Sequence, residues 1–283
     1  MTKDVDKSKD VDKSRELDKS SDLDQTNAKS PTFTVVMPCY NESKNIPLIL
    51  SRFEQIAAND VSQVQLLLVD NGSTDETPSV LASQLPSYSF AKSIRVPVNQ
   101  GYGFGILEGL RACDSDYIGW THADMQTDPS DIVKALEIVK KANYPEDIYV
   151  KGLRRGRPLA DSFFTGGMSL FETCFMGTNL WDINAQPNIF HRSFFQSWTQ
   201  PPHDFALDLY AYYMARQKNL NIVRFDVVFP PRIHGESKWN TGFQSKVKFI
   251  KRTVDFSIKL KHSLKNSHVN SLNSSLDQSS EEV

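Results

Sequence analysis

Short apolar runs alternate with amphipathic stretches along the middle of this chain. The runs are of strand length: Phe33 to Met37, Leu66 to Val69, Ala91 to Val96, Tyr117 to Trp120 and Ile148 to Val150. Largely apolar segments of this kind suit strands buried on both faces of a sheet. Between them the periodicity changes to that of a helix. Helices are predicted from Ile46 to Ala58 (with Asn45 ahead and Pro47 in the first turn), Thr77 to Gln84, Gly103 to Ala112 and Ser130 to Lys141. In the last of these, Ile132, Val133, Leu136 and Val139 share one face. A further helix is predicted from Phe205 to Gln217. Regular strand–helix alternation predicts an α/β fold, a mostly parallel sheet with helices on both faces. Ligands of such sheets bind beyond the carboxyl ends of the strands, at a topological switch point. That rule selects which polar residues matter.

Both ends of the chain lack this pattern. Residues 3 to 26 repeat every six positions (KDVDKS, KDVDKS, RELDKS, SDLDQT). One small apolar residue per repeat cannot offset the entropy of ordering, so residues 1–31 are predicted to be a disordered tail. The Ser- and Asn-rich residues 267–283 are predicted likewise, leaving residues 32–245 as the folded domain and 246–266 as a basic amphipathic helix. Residues 232–265 hold nine Lys or Arg against Glu236 and Asp255, and Val247, Ile250, Val254 and Ile258 lie on one helical face. That stripe either packs on the domain or lies on anionic lipid.

Composition narrows the classes. A net charge of −2 gives no bulk attraction for nucleic acid. Three separated cysteines support neither a disulfide framework nor a zinc site, which fits a reducing compartment. The charged amino terminus and the lack of a bilayer-length apolar run predict a cytoplasmic protein, soluble or peripheral on the cytoplasmic face of a membrane.

Four loops carry candidate chemistry. His122-Ala123-Asp124-Met125-Gln126 follows the fourth strand, and a carboxylate and an amide oxygen two residues apart can meet on Mg²⁺ or Mn²⁺. Pro38-Cys39-Tyr40-Asn41-Glu42 leaves the first strand, where Tyr40 can stack on a base and Glu42 accept a hydrogen bond. Asp70 ends the second strand and suits ribose hydroxyls. Gly72 allows a turn, and Asp75 or Thr77 is expected to cap the next helix. Gly103 and Gly105 are expected to let the third helix pack closely on the sheet. Two cationic groups complete the set, Lys151, Arg154, Arg155 and Arg157 after the fifth strand, and Arg232 with Lys238, a phosphate clamp.

Together these segments resemble the family 2 glycosyltransferases of the GT-A fold. The resemblance rests on Pro38-x-Tyr40-Asn41-Glu42, Asp70-Asn71-Gly72-Ser73-x-Asp75-x-Thr77, Asn99-x-Gly101, and Ala123-Asp124-x-Gln126 followed by Pro129. Arg232-x-x-Gly235-x-Ser237-Lys238 is similar to the branch that makes dolichyl- or polyprenyl-phosphate hexoses. The resemblance implies an inverting, metal-dependent hexosyltransferase. Its nucleotide-diphospho-sugar donor would bind at Pro38, Tyr40, Glu42, Asp70, His122, Asp124 and Ser237, with the metal on Asp124 and Gln126. Arg232 and Lys238 would act on the leaving diphosphate, and Arg154 and Arg155 would receive the phosphate of a lipid acceptor at the membrane surface. A membrane protein is a candidate partner. Asp204 would serve as base if the acceptor were a saccharide hydroxyl, and otherwise caps its helix. Two departures stand out: His122 replaces the usual first aspartate, and Asn71 a common second one. A saccharide acceptor, or nucleotide-sugar binding without catalysis, are the competing readings.

Overall fold

The computed structural model describes residues 31–57, 63–156, 159–230, 247 and 250–261. Seven strands form one sheet: β1 Phe33–Cys39, β2 Val64–Asn71, β3 Ala91–Val96, β4 Tyr117–Trp120, β5 Ile148–Arg155, β6 Asn188–His191 and β7 Asn221–Val228. Their order across the sheet is β3-β2-β1-β4-β6-β5-β7. All neighbours pair in parallel except β6, which runs against both β4 and β5. The five expected strands are present, several of them longer than expected. β6 and β7 are the two strands that the apolar runs did not reveal.

The helices are α1 Ile46–Ala57, α2 Thr77–Gln84, α3 Tyr102–Arg111, α4 Ser130–Lys141, α5 Leu159–Met176, α6 Arg192–Gln196 and α7 Leu207–Gln217, and residues 250–261 are also helical. Alternate residues of β1 serve opposite faces. Val35 and Met37 meet Ile46, Ile49 and Phe53 of α1 and Ile132 of α4 in one core layer. Val36 faces the other, with Ile106 and Leu110 of α3 and Tyr212 of α7. Such a two-sided core is why these strands read as continuous apolar runs. Gly109 sets the depth of α3, since a β-carbon there would lie 2.3 Å from Val36 Cγ1.

This topology creates a switch point. The chain runs outward from β1 through β2 to β3, then crosses back to place β4 on the other side of β1. Cys39 pairs with Asp70, and Val36 with Trp120, so the loops after β1, β2 and β4 leave the sheet side by side.

The helix at 250–261 packs on the domain through a different face from the one predicted. Ser257 and Leu260 are buried, whereas Val247 is 46% and Ile258 40% exposed. Ser257 Oγ lies 2.7 and 2.9 Å from the carboxylate oxygens of Glu172 on α5, and Lys261 Nζ donates to the Phe175 carbonyl at 2.6 Å. A buried polar contact thus replaces part of the expected apolar seam. The predicted tails, and Lys246, Lys248 and Lys265, lie outside the described residues.

Candidate functional site at the switch point

The loops after β1 and β2 are tied into one unit. Asn41 adopts φ 60, and its backbone N–H donates to Ser73 Oγ at 3.1 Å while its side-chain oxygen accepts from Thr74 N at 2.9 Å. Glu42 N donates to Thr77 Oγ1, and Ser43 N to Asp75 Oδ2. Asp75 Oδ1 also accepts from Thr77 N, although the residue in the capping position is Glu76, which makes no side-chain cap. Burial pushes the Asp75 carboxyl up, but the hydrogen bonds from Thr77 and Ser43 outweigh it and hold the group below its ordinary value. Asp75 and Thr77 are therefore structural. Glu42 Oε2 accepts from Asn45 Nδ2 at 2.5 Å, which fixes the carboxylate at the mouth of the loop.

Asp70 is enclosed. Its Oδ1 accepts from Ser73 N at 2.9 Å, and its Oδ2, with no hydrogen-bond partner among the described residues, lies 3.5 Å from Arg95 Nε. An acceptor left in this state is costly, and a ligand donor would offset that cost. Arg95 is mostly exposed and is the side chain that would move to admit one. Asn71 is turned the other way, donating to the Gly101 carbonyl at 2.9 Å. An asparagine can donate to that carbonyl, whereas an ionised aspartate could not.

At the end of β4 the chain bends at Met125, φ 59. Asp124 Oδ1 accepts from Gln126 N at 3.1 Å, and Gln126 Nε2 donates to the Pro230 carbonyl at 3.2 Å. The geometry of an amide then directs Gln126 Oε1 away from Pro230. Asp124 and Gln126 thus contribute hard oxygen atoms from one tight turn. No group of three or more His, Cys, Asp or Glu side chains converges among the described residues. The donor set fits a cation that takes most of its ligands from phosphate and water, as Mg²⁺ does.

His122 begins the same loop under an aromatic lid. Its ring lies 5.9 Å from that of Tyr102, which stacks on Phe205 at 4.8 Å. The Tyr102 hydroxyl accepts from Gln186 Nε2, and burial raises its pKa well above the ordinary value. Sequence reasoning missed Tyr102, Gln186 and Phe205, whose separation along the chain conceals their contact. Gly103 and Gly105, in the first turn of α3, allow close packing on both a neighbouring loop and the end of β2. A β-carbon on Gly103 would lie 2.6 Å from the Asp204 carbonyl, and one on Gly105 2.7 Å from Asn71 Nδ2. Close packing was expected there; its partners are the 202–204 loop and Asn71.

Asp204 lies in that loop, two residues before the cap of α7, which begins at Leu207 instead of Phe205. Its Oδ1 accepts from Ala206 N at 3.0 Å, and its Oδ2 lies 3.5 Å from Arg252 Nη2.

The described members of the cationic cluster, Lys151, Arg154 and Arg155, lie on β5, and each has a partner within the protein. Lys151 is fully buried and donates to the Ala185 carbonyl at 2.7 Å and Asn188 Oδ1 at 2.8 Å. Burial pulls its ammonium down to about 7, against the opposing pull of Asp208. Asp208, itself raised by burial, accepts from Trp120 Nε1 and Asn188 Nδ2. Arg154 is paired with an acid. Its side chain is 7% exposed and its Nε donates to Asp182 Oδ1 at 2.8 Å. Burial alone would raise Asp182, but the guanidinium outweighs it and holds the carboxyl below its ordinary range. The charge of Arg154 is therefore already matched. Arg155 is exposed and pairs with Asp226 at 2.9 Å. Arg157, Arg232, Ser237 and Lys238 lie outside the described residues.

Comparison with known proteins agrees with this geometry. Residues 34–196 match the profile of Glycosyl transferase family 2. An undecaprenyl-phosphate 4-deoxy-4-formamido-L-arabinose transferase of Photorhabdus laumondii is 26% identical over 216 residues, covering 73% of this chain and 62% of the relative. The protein of the same name from Proteus mirabilis is 30% identical over 133 residues, 46% of this chain and 39% of its own. The chain thus spans less than two thirds of these relatives' length. Glucosyl-3-phosphoglycerate synthase from Mycobacterium tuberculosis, solved with Mn²⁺, UDP and phosphoglyceric acid, superposes with a TM-score of 0.60 at 18% identity, over 81% of this chain and 78% of that one. Its complex with Mg²⁺ and UDP gives a TM-score of 0.60 over 81% and 79%. These superpositions show a shared GT-A fold.

Proposed function

The chain belongs to glycosyl transferase family 2, and from that premise we propose that it moves a sugar from a nucleotide-diphospho-sugar to a polyprenyl-phosphate acceptor. The observation that carries the donor half is the Asp124–Gln126 turn at the switch point, beside the interlocked loops after β1 and β2. Pro38 and Tyr40 would border the nucleoside, and Glu42 and Asp70 would accept its hydrogen bonds. Asp124 and Gln126 would hold Mg²⁺ or Mn²⁺, which when bound stabilises negative charge on the leaving diphosphate. His122, neutral or protonated, would add a hydrogen-bond donor at the same edge. Arg232, Ser237 and Lys238 would close on the diphosphate, by their sequence pattern.

Two points support a phosphate acceptor. The relatives named above carry undecaprenyl phosphate in their names. In addition, Asp204, the candidate base for a hydroxyl acceptor, has one oxygen accepting from Ala206 N–H and the other near Arg252. A phosphate oxygen is ionised near neutral pH and needs no strong base. It would attack the anomeric carbon as the bond from that carbon to the donor diphosphate breaks, inverting the configuration. No described helix is long and apolar enough to cross a membrane.

The test is a transfer assay with Mn²⁺ and a panel of nucleotide sugars, offering a short polyprenyl phosphate or a soluble saccharide. Product on the lipid phosphate with the opposite anomeric configuration is expected. Product on the saccharide alone would move the assignment to a hydroxyl acceptor and return Asp204 to the role of base.

A further inference from the structure

The side chain of Gln186 is buried beside the candidate site with half of its amide unused. It is 2% exposed; Nε2 donates to the Tyr102 hydroxyl, and Oε1 has no hydrogen-bond partner among the described residues. The segment that carries it is fixed on β5. Lys151 Nζ donates to the Ala185 carbonyl, and Gly152 N donates to the Pro187 carbonyl at 3.0 Å. A β-carbon on Gly152 would lie 2.2 Å from the Gln186 carbonyl. The backbone thus holds the amide in place, and its unused oxygen carries the cost of an unmade hydrogen bond.

Tyr102 connects this amide to the cation-binding turn. Its ring lies 5.9 Å from that of His122. Burial first, then the charges of Asp208 and Asp124, raise its hydroxyl, which stays protonated at neutral pH. Having accepted from Gln186, that hydroxyl keeps its own proton to donate. Tyr102 also stacks on Phe205, with planes 14° apart, and Phe205 is 44% exposed, a large ring left partly in water. Three segments far apart in sequence therefore bring together an acceptor, a donor and an aromatic face.

We propose that Gln186, Tyr102 and Phe205 hold the sugar of the nucleotide donor and select it by its hydroxyl pattern. A sugar hydroxyl both donates and accepts, so one hydroxyl can satisfy Gln186 Oε1 and take the Tyr102 proton. The C–H face of a sugar ring is apolar and suits an exposed aromatic ring. An apolar surface with a few placed polar groups is the usual form of a small-ligand site. A sugar that leaves Gln186 Oε1 unpaired is disfavoured, which is how a buried polar group discriminates between sugars differing at one carbon. The inference rests on the donor half of the reading above and is independent of the acceptor.

Titration calorimetry of the full chain with Mn²⁺ tests it without any acceptor. The probes are UDP-glucose, UDP-galactose and UDP-N-acetylglucosamine against UDP, and GDP-mannose and GDP-glucose against GDP. The wild type should prefer one sugar over the others on the same base by about tenfold or more. Gln186→Leu should remove about tenfold of that preference and leave binding of UDP or GDP unchanged. Tyr102→Phe should act in the same direction, and Phe205→Ala should weaken every sugar nucleotide alike. Gln186→Leu combined with Tyr102→Phe removes both ends of the buried bond and should melt close to the wild type. Equal binding of all the sugars by the wild type, or a preference that survives in both Gln186→Leu and Tyr102→Phe, overturns the proposal. So does a loss that falls equally on UDP or GDP alone, which would make these side chains a support of the fold. A wild type that binds no nucleotide or nucleotide sugar removes the donor assignment and this inference with it. A sugar preference without transfer to polyprenyl phosphate leaves the pocket standing and removes the acceptor alone.

Discussion

The imidazole of His122 stands where a second carboxylate would make the cation-binding turn more negative. Affinity for a hard cation rises with the number of charged oxygen ligands, so His122→Asp should tighten Mn²⁺ binding on the order of tenfold in the presence of nucleoside diphosphate. Titration followed by calorimetry checks this; unchanged or weaker binding would mean that position 122 does not face the cation. The turn that holds Asp124 and Gln126 was legible in the sequence because it comes soon after the buried strand β4. The partner of Arg154 was hidden because Asp182 lies 28 residues away. A row of Lys and Arg looks the same in one dimension whether it is solvated or matched. Lys151 was obscured in the same way, its partners Ala185 and Asn188 standing on another segment.

Contacts between elements have consequences that single residues do not show. Glu172 of α5 is fully buried against Ser257, and burial raises its pKa from the ordinary 4.5 to about 7, the Ser257 hydrogen bond opposing the shift. Ser257 Oγ also lies 2.8 Å from the Thr253 carbonyl. One hydroxyl proton serves one of these acceptors, so a protonated Glu172 donating to Ser257 satisfies all three groups. Because the folded state holds this proton more tightly than the unfolded, stability is greatest below about pH 4.5 for this group. It falls as pH rises towards 7, and the contribution is lost above that. Glu172→Gln, which cannot ionise, should therefore stabilise the protein at pH 8 by roughly 1–3 kcal/mol and have little effect at pH 5. Urea midpoints at the two pH values measure it, and equal effects at both would show that the carboxyl is not neutral at the seam. The helix itself was legible from its heptad-like apolar spacing, but its buried face was not. The sequence offered one apolar stripe, and the buried contact uses Ser257 on another.

For the molecule as a whole, the strands that build the switch point were legible, as was β5, whereas β6 and β7 were not. Strands β1 to β5 carry apolar residues to two core layers and so stand out as runs. β6 is four residues with Asn188 at one end and His191 at the other, and β7 alternates Arg224 and Asp226 with apolar residues along a largely half-exposed edge. Neither has a pattern that distinguishes it from a loop. The fold follows from parallel strands that need crossovers, and the candidate site from the place where those crossovers reverse. The central claim is that this place binds a metal–diphosphate group through Asp124. The most direct measurement is sugar transfer by Asp124→Ala against wild type across a Mn²⁺ titration, with folding checked by melting. The account predicts metal-dependent turnover in the wild type and a loss of on the order of 10²–10³ or more in the variant, not restored by excess Mn²⁺. A variant with wild-type rate and the same Mn²⁺ dependence would contradict it.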